Sequence, residues 1–357
     1  MESFTVSALK YRPQNFDQII GQEQITSTLK NAIETNQLAQ ALLFCGPRGV
    51  GKTSCARILA KAINNKDGNS SEQDFAFNIF ELDAASNNSV DDIRKLNDQI
   101  RIPPQIGDFK VYIIDEVHML SLSAFNAFLK TLEEPPKHAI FILATTEKNK
   151  IIPTILSRCQ IYDFNRISVK EIKYFLVKIC NLKKIDFDDD ALILIAQKAD
   201  GAMRDALSIF DRMVSFTSGN LTTAEVSKNL NILDYETFFL ISDLIKKNKI
   251  PEILIEFNNI INKGYDSLHF INGLANHIRI LILCKNSLTI ELIEVGKKTQ
   301  NKYIDQSKTY TLNWLVDALS LTKEAEYKHK SSINKRLNAE LCLMQLASLH
   351  FNGEKKN

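Results

Sequence analysis

Gly46-Pro47-Arg48-Gly49-Val50-Gly51-Lys52-Thr53, followed by Ser54, meets the spacing G-x-x-x-x-G-K-[ST] at each fixed position. Glycines at that spacing let backbone N–H groups close around phosphate oxygens, and a helix opening there adds the positive end of its dipole. Lys52 is placed to reach the β- and γ-phosphates of a nucleotide, and Thr53 to hold Mg²⁺. About sixty residues later an apolar run ends in two adjacent carboxylates, Asp115 and Glu116. Such a pair alone is an ordinary solvated strand end. Behind a phosphate loop it supplies a partner for Mg²⁺ (Asp115) and a base that orients and deprotonates water (Glu116). The chemistry that these residue types and spacings support is hydrolysis of a nucleoside triphosphate.

Such a site needs strands to carry it. Short, mostly apolar, β-branched or aromatic runs at 41–45, 79–83, 111–114, 140–144 and 161–164 read as strands covered on both faces, as in a parallel sheet with helices on each side. Helical patterns lie between them. Ser89 is the expected N-cap of one, with Asp92 in its first turn. Another carries Phe125, Phe128, Leu129 and Leu132 on one face and stops at Pro135-Pro136. After about residue 168 strand patterns give way to helical periodicity, with Thr222-x-x-Glu225 as a capping-box signature. From 235 to 350 about five helices are expected, a long one near 312–330 among them. The expected division is a nucleotide-binding α/β domain over 1–168, an all-α lid over 169–234, an all-α oligomerisation domain over 235–352 and a polar tail over 353–357. Residues 65–73 read as a polar loop.

The 357 residues are 45% hydrophobic and 24% charged, an ordinary globular balance. Lys and Arg number 44 against 42 Asp and Glu, so a strongly basic surface is excluded while a local basic patch is not. Apolar runs are far shorter than the ~20 residues that span a bilayer, and the N-terminus lacks a signal-peptide pattern. The expectation is a cytoplasmic protein without a membrane role. The six cysteines never fall as C-x-x-C, which disfavours a metal knot or a disulfide framework. Arg158, in Ser157-Arg158-Cys159, and Arg204, in Gly201-Ala202-Met203-Arg204-Asp205, read as surface arginines from spacing alone.

The motif set resembles the AAA+ ATPases and, within them, the gamma/tau subunits of bacterial DNA polymerase III clamp loaders. The residues carrying it are Tyr11-Arg12-Pro13, Phe16, Gly21-Gln22, GPRGVGKT at 46–53, LDAASNNSVDDIR at 82–94 and KVYIIDEVHMLS at 110–121. FNAFLKTLEEPP at 125–136, ATTE at 144–147, ILSRC at 155–159 and GAMRDALS at 201–208 continue it. The resemblance implies that Tyr11, Arg12, Pro13, Ile20, Gly21 and Gln22 wrap the adenine of ATP, and that Thr146 senses the γ-phosphate. It implies that Arg158 reaches the neighbouring subunit's ATP and that Arg204 reports nucleotide state to the lid. Arg94 and Lys130 would face DNA phosphates, although each reads equally well as a solvated helix charge. Implied partners are delta- and delta-prime-type subunits, further copies of this chain, the sliding clamp, the polymerase III core and primed DNA. The family's usual four-cysteine zinc module would fall at 64–78, where this chain has no cysteine, so no zinc is expected. The length resembles the short gamma form. Rival readings are a non-hydrolysing subunit of the same assembly, disfavoured by intact Lys52, Thr53, Asp115 and Glu116; another AAA+ machine such as a branch-migration helicase; and a signalling switch with no role on DNA.

Overall fold

The computed structural model describes residues 5–64, 78–105, 107–217, 219–230 and 232–349. The polar loop expected at 65–73, most of the zinc-module interval and the polar tail lie outside the described residues. Two compact units result, one of Met1–Leu176 with Ala196–Arg212, the other of Val177–Ile195 with Met213–Asn357.

The first unit is built on five strands: β1 (Ala41–Cys45), β2 (Ile79–Asp83), β3 (Lys110–Asp115), β4 (Ala139–Thr145) and β5 (Gln160–Asp163). They form one sheet in the order β2-β3-β4-β1-β5, with every neighbouring pair parallel. β1 and β4 are buried along their whole length, which explains why their sequences are continuous apolar runs rather than alternating ones. Alternate residues still serve different faces. Leu43, Tyr112, Phe141 and Leu143 pack with Ile93, Phe125 and Phe128 from the helices Val90–Ile100 and Leu122–Glu133. Leu42, Phe44, Ile113 and Ile142 pack with Cys55, Leu59 and Ile63 of the helix Lys52–Asn64. Around Phe141 the aromatic rings of Tyr112 and Phe128 lie 5.7 and 5.4 Å away, centre to centre.

The helix boundaries follow local chemistry. Ser89 and Asp92 form a reciprocal capping box at the start of Val90–Ile100. That hydrogen bonding holds the Asp92 carboxyl below its ordinary range. Leu122–Glu133 is capped by the Ser121 hydroxyl and ends before the two prolines.

In the second unit two expectations need correction. Strand structure does not vanish after 168: β6 (Asp186–Phe187) and β7 (Asn220–Leu221) form a short parallel pair. Two residues are too few to show a hydrophobic period. The pairing is set instead by the adjoining turns, where Asp188 N–H donates to the Leu221 carbonyl (2.9 Å) and Thr223 N–H to the Asp188 carboxylate (2.8 Å). Between 235 and 348 the described residues form six α-helices, not five: Tyr235–Lys246, Ile250–Asn262, Ser267–Leu283, Lys297–Lys308, Leu312–Ser331 and Lys335–Ser348. The extra division arises because Lys297–Lys308 is mostly polar and buries Thr299, Tyr303, Gln306 and Ser307 in place of an aliphatic stripe. The core of these helices includes Ile241, Phe257, Phe270, Leu281, Leu315 and Leu343. Thr222 caps Thr223–Asn229 through the Glu225 N–H. Among the described residues no helix is long and apolar enough to cross a membrane.

Candidate functional site

The sheet order places three loops side by side at the carboxyl ends of the strands, where ligands settle in open parallel sheets. β1 runs into the glycine-rich loop, β3 ends at Asp115, and β4, between them, ends at Thr145. The register pairs Cys45 with Thr145 and Ile114 with Leu143, so the positions singled out from sequence emerge on one edge.

The loop itself is tightly determined. Gly46 has φ +145°, and a Cβ there would lie 2.4 Å from the Phe164 carbonyl oxygen. Gly49 has φ +79°, and a Cβ would lie 3.0 Å from Ala202 Cβ. Neither position accepts a side chain without moving backbone or a neighbouring element. Lys52 is only 6% exposed; its ammonium donates to the carbonyls of Gly46 (2.7 Å) and Pro47 (2.8 Å). Burial lowers its pKa, while Glu116 and Asp115 pull in the opposite direction. Thr53 Oγ1 donates to Asp115 Oδ2 at 2.7 Å. A hydroxyl and a carboxylate so placed fit Mg²⁺, which usually takes one or two protein ligands together with substrate phosphates. The glycine cradle and the buried ammonium fit a triphosphate.

Glu116 stands in the left-handed region (φ 47°), uncommon for a residue with a side chain and a local cost of about 1–2 kcal/mol. Its Oε2 accepts from Thr146 Oγ1 (2.9 Å) and Thr146 N–H (3.3 Å), tying the end of β3 to the end of β4. The sequence reading assigned no role to His118, yet its buried ring sits within this group. Nδ1 lies 3.0 Å from Thr145 Oγ1 and 3.4 Å from Glu116 Oε2, and Nε2 lies 3.5 Å from Glu147 Oε1. The available signal was its position two residues beyond Glu116. Its neighbours come from β4, which local spacing does not show.

A cavity of about 580 Å³ extends from this edge, lined at one end by Lys52, Thr53, Asp115 and Glu116. Arg48, Gly49, Val50, Gly51 and Ser54 also line it, as do Tyr11, Arg12, Pro13, Ile20 and Arg204. Away from the acidic pair the wall is largely apolar, with Leu9, Tyr11, Ile19, Phe175, Met203 and Leu207. The Arg12 guanidinium lies 3.5 Å from Ser54 Oγ, and burial followed by the nearby Arg57 lowers its pKa. Arg204 N–H approaches the Gly49 carbonyl at 3.4 Å.

Other positions stand apart from the cavity. Gln22 is buried, and its amide makes two hydrogen bonds to the main chain of Asn165, at 2.8 and 3.2 Å. Gly21 packs near Ile167. Arg158 pairs with Glu133 (2.7 Å) and donates to the Thr154 carbonyl (2.7 Å). Arg94 is exposed beside Asp91 (3.2 Å), and Lys130 is exposed on Leu122–Glu133.

Residues 21–168 fit a family described as DNA polymerase III, delta subunit, and residues 171–219 one described as DNA polymerase III clamp loader subunit, ATPase lid domain. The chain is 37% identical to the DNA polymerase III subunit tau of Bacillus subtilis over 94% of its own length, spanning 62% of that protein. It is 42% identical to the Escherichia coli tau subunit, spanning 56% of it. It is 37% identical to the DNA polymerase III subunit gamma of Buchnera aphidicola from Acyrthosiphon pisum, covering 97% of this chain and 99% of that one. Among solved structures, the Thermotoga maritima RuvB branch migration motor superposes with a TM-score of 0.50 at 21% identity, over 70% of this chain and 85% of that one, which supports the AAA+ fold alone. With relatives 37–42% identical over 94–98% of this chain, the chain belongs to the gamma/tau family of DNA polymerase III clamp-loader subunits.

Proposed function

We propose that this chain is the ATP-hydrolysing motor subunit of a replicative clamp loader, acting in the cytoplasm to open a ring-shaped sliding clamp and release it closed on primed DNA. The observation that carries the reading is the joined set Lys52, Thr53–Asp115 and Glu116–Thr146 on one edge of the sheet. Bound MgATP supplies the phosphoanhydride bond and the metal charge that offsets its phosphates. Lys52 exchanges its two carbonyl acceptors for phosphate oxygens, a favourable trade for a buried ammonium. Thr53 and Asp115 serve the metal. Glu116 takes the proton of the attacking water, and Thr146, already bonded to that carboxylate, ties its position to the state of the γ-phosphate. Tyr11, Arg12, Pro13 and Ile20 surround the base, with Gly21 and Gln22 holding the segment from behind. Arg204 serves the same nucleotide from the helix beginning at Met203. Arg158, which lines no part of this chain's cavity, acts on the adjacent subunit's ATP. Arg94 and Lys130 face the DNA backbone, a contact that positions without reading sequence.

The proposed assembly contains delta- and delta-prime-type subunits and copies of this chain, joined through the helices beyond residue 235, and works with the clamp and the polymerase III core. Residues 1–168, 169–234 and 235–352 are proposed as motor, lid and collar. The test is steady-state ATP hydrolysis by this chain mixed with its cognate loader subunits. A rise that requires both clamp and primed DNA supports the reading. Turnover indifferent to both removes it.

A further inference from the structure

The short helix Ser7–Lys10 lies against the helix that carries Arg204, and one residue makes the join. Asp211 Oδ2 accepts the Ser7 backbone N–H at 2.6 Å, and Asp211 Oδ1 accepts the Ser7 hydroxyl at 2.5 Å. Ser7 is fully buried, so each of its two donors needs a partner inside the protein. The carboxylate provides both, and a charged acceptor makes each bond stronger than a neutral one.

Arg204, Ser208 and Asp211 recur at helical spacing and all line the cavity, on the same face of the helix. Across from them the segment that begins at Val6 contributes Leu9, Tyr11 and Pro13. These residues belong to the apolar part of the cavity, remote in kind from the Lys52, Thr53 and Asp115 group. In the same segment Tyr11 meets Phe175 edge to face at 6.5 Å, and Arg12 reaches Ser54 at 3.5 Å. The helix Ser7–Lys10 has four residues, too few to hold its position by its own hydrogen bonds.

We infer that Asp211 is a positioning residue for the base of the nucleotide: by clasping Ser7 it holds the 6–13 segment as a wall of the base pocket and ties that wall to the helix bearing Arg204. The clasp touches no phosphate. Its loss therefore weakens ligands that carry a base and spares ligands that are phosphate alone. This inference rests on the ATP reading above and adds to it the residues that favour a nucleotide over bare polyphosphate.

The test is calorimetric titration of the full chain with MgATP and, separately, with magnesium tripolyphosphate. Asp211→Ala is expected to weaken MgATP binding about tenfold, the scale of losing one charge-assisted hydrogen bond, with tripolyphosphate held within twofold. Ser7→Ala, which retains the backbone donor, is expected to weaken MgATP in the same sense by a smaller factor. The double variant is expected to bind no more weakly than Asp211→Ala alone, because one clasp is being removed. Where Asp211→Ala does not fold, Asp211→Asn, which preserves shape and removes the charge, carries the expectation of Asp211→Ala. Unchanged MgATP affinity in the variants, with normal binding by the wild type, overturns the clasp alone. Equal weakening of both ligands also overturns it, since that reports general damage to the site. A wild-type chain that binds no MgATP overturns the nucleotide reading and the clasp together.

Discussion

His277 offers a sharp test of how the helical unit is held together. It lies on Ser267–Leu283 and is 1% exposed. Its Nδ1 lies 3.0 Å from the Tyr303 hydroxyl and its Nε2 3.0 Å from Gln306 Oε1, with the Phe239 ring 5.0 Å away. The neutral ring uses both nitrogens, accepting from tyrosine and donating to the amide oxygen. Burial pushes its pKa from 6.5 down to about 3, partly opposed by the bond to Gln306. Between those values the unfolded chain binds a proton at this histidine and the folded chain does not. The stability it contributes is therefore complete above pH 6.5 and is lost as pH falls. The loss reaches about 2 kcal/mol by pH 5 and about 4 kcal/mol by pH 3. The protein has one tryptophan, Trp314, on a helix of the same unit, so its fluorescence reports unfolding there. Urea unfolding at pH 7.5 and pH 5 should show the wild type losing about 2 kcal/mol more than His277→Gln, a midpoint difference of about 1 M. Equal losses in the two proteins would refute the assignment of a neutral, desolvated imidazole.

Three further outcomes are expected. Glu116→Gln should bind MgATP normally and slow hydrolysis by about 10²- to 10⁴-fold, measured by single-turnover phosphate release; near-normal turnover would remove Glu116 as the base. Arg158→Ala should retain ATP binding in the isolated chain and lose turnover in the assembled loader, and full activity in the assembly would end its assignment in trans. Gln22→Ala removes two bonds to the main chain of Asn165, an exposed residue whose freed groups water can reach, at a cost of about 1–2 kcal/mol in chemical denaturation. A loss below about 0.5 kcal/mol would show that the Gln22 bridge carries little.

Much of the first unit was legible because its signals are local and redundant. The five strands are short apolar runs, and the glycine loop, the Ser89 cap and the stop before Pro135 are each written in adjacent residues. The site residues were legible as types, while their joining was not. That Thr53 meets Asp115, or Glu116 meets Thr146, depends on strand order, and β4 between β1 and β3 is a non-local fact. His118 was missed for the same reason. Gln22 shows the converse: its motif suggested a residue on the base, and the fold gives it a hydrogen-bonding partner in the Asn165 main chain. The six-helix division was obscured because Lys297–Lys308 buries polar residues, which defeats an apolar count.

Gly46 has a consequence for descent as well as for chemistry. Its N–H donates to the Thr145 carbonyl at 3.2 Å, while the neighbouring Cys45 carbonyl accepts from Phe164 N–H at 2.7 Å, so the end of β1 is sewn to both adjacent strands. With the Phe164 oxygen where a first side-chain atom would go, substitution here is penalised by the sheet before any nucleotide is considered. Lys52 and Glu116 also make bonds here, to the Gly46 and Pro47 carbonyls and to Thr146, but they make them with side-chain ends, and exchanging those pushes no first side-chain atom into backbone. A lineage of this fold released from hydrolysing ATP would be free to change the lysine and the glutamate while keeping the glycine. On the proposed reading, glycine at this position records architecture, and the lysine and glutamate record whether hydrolysis is kept.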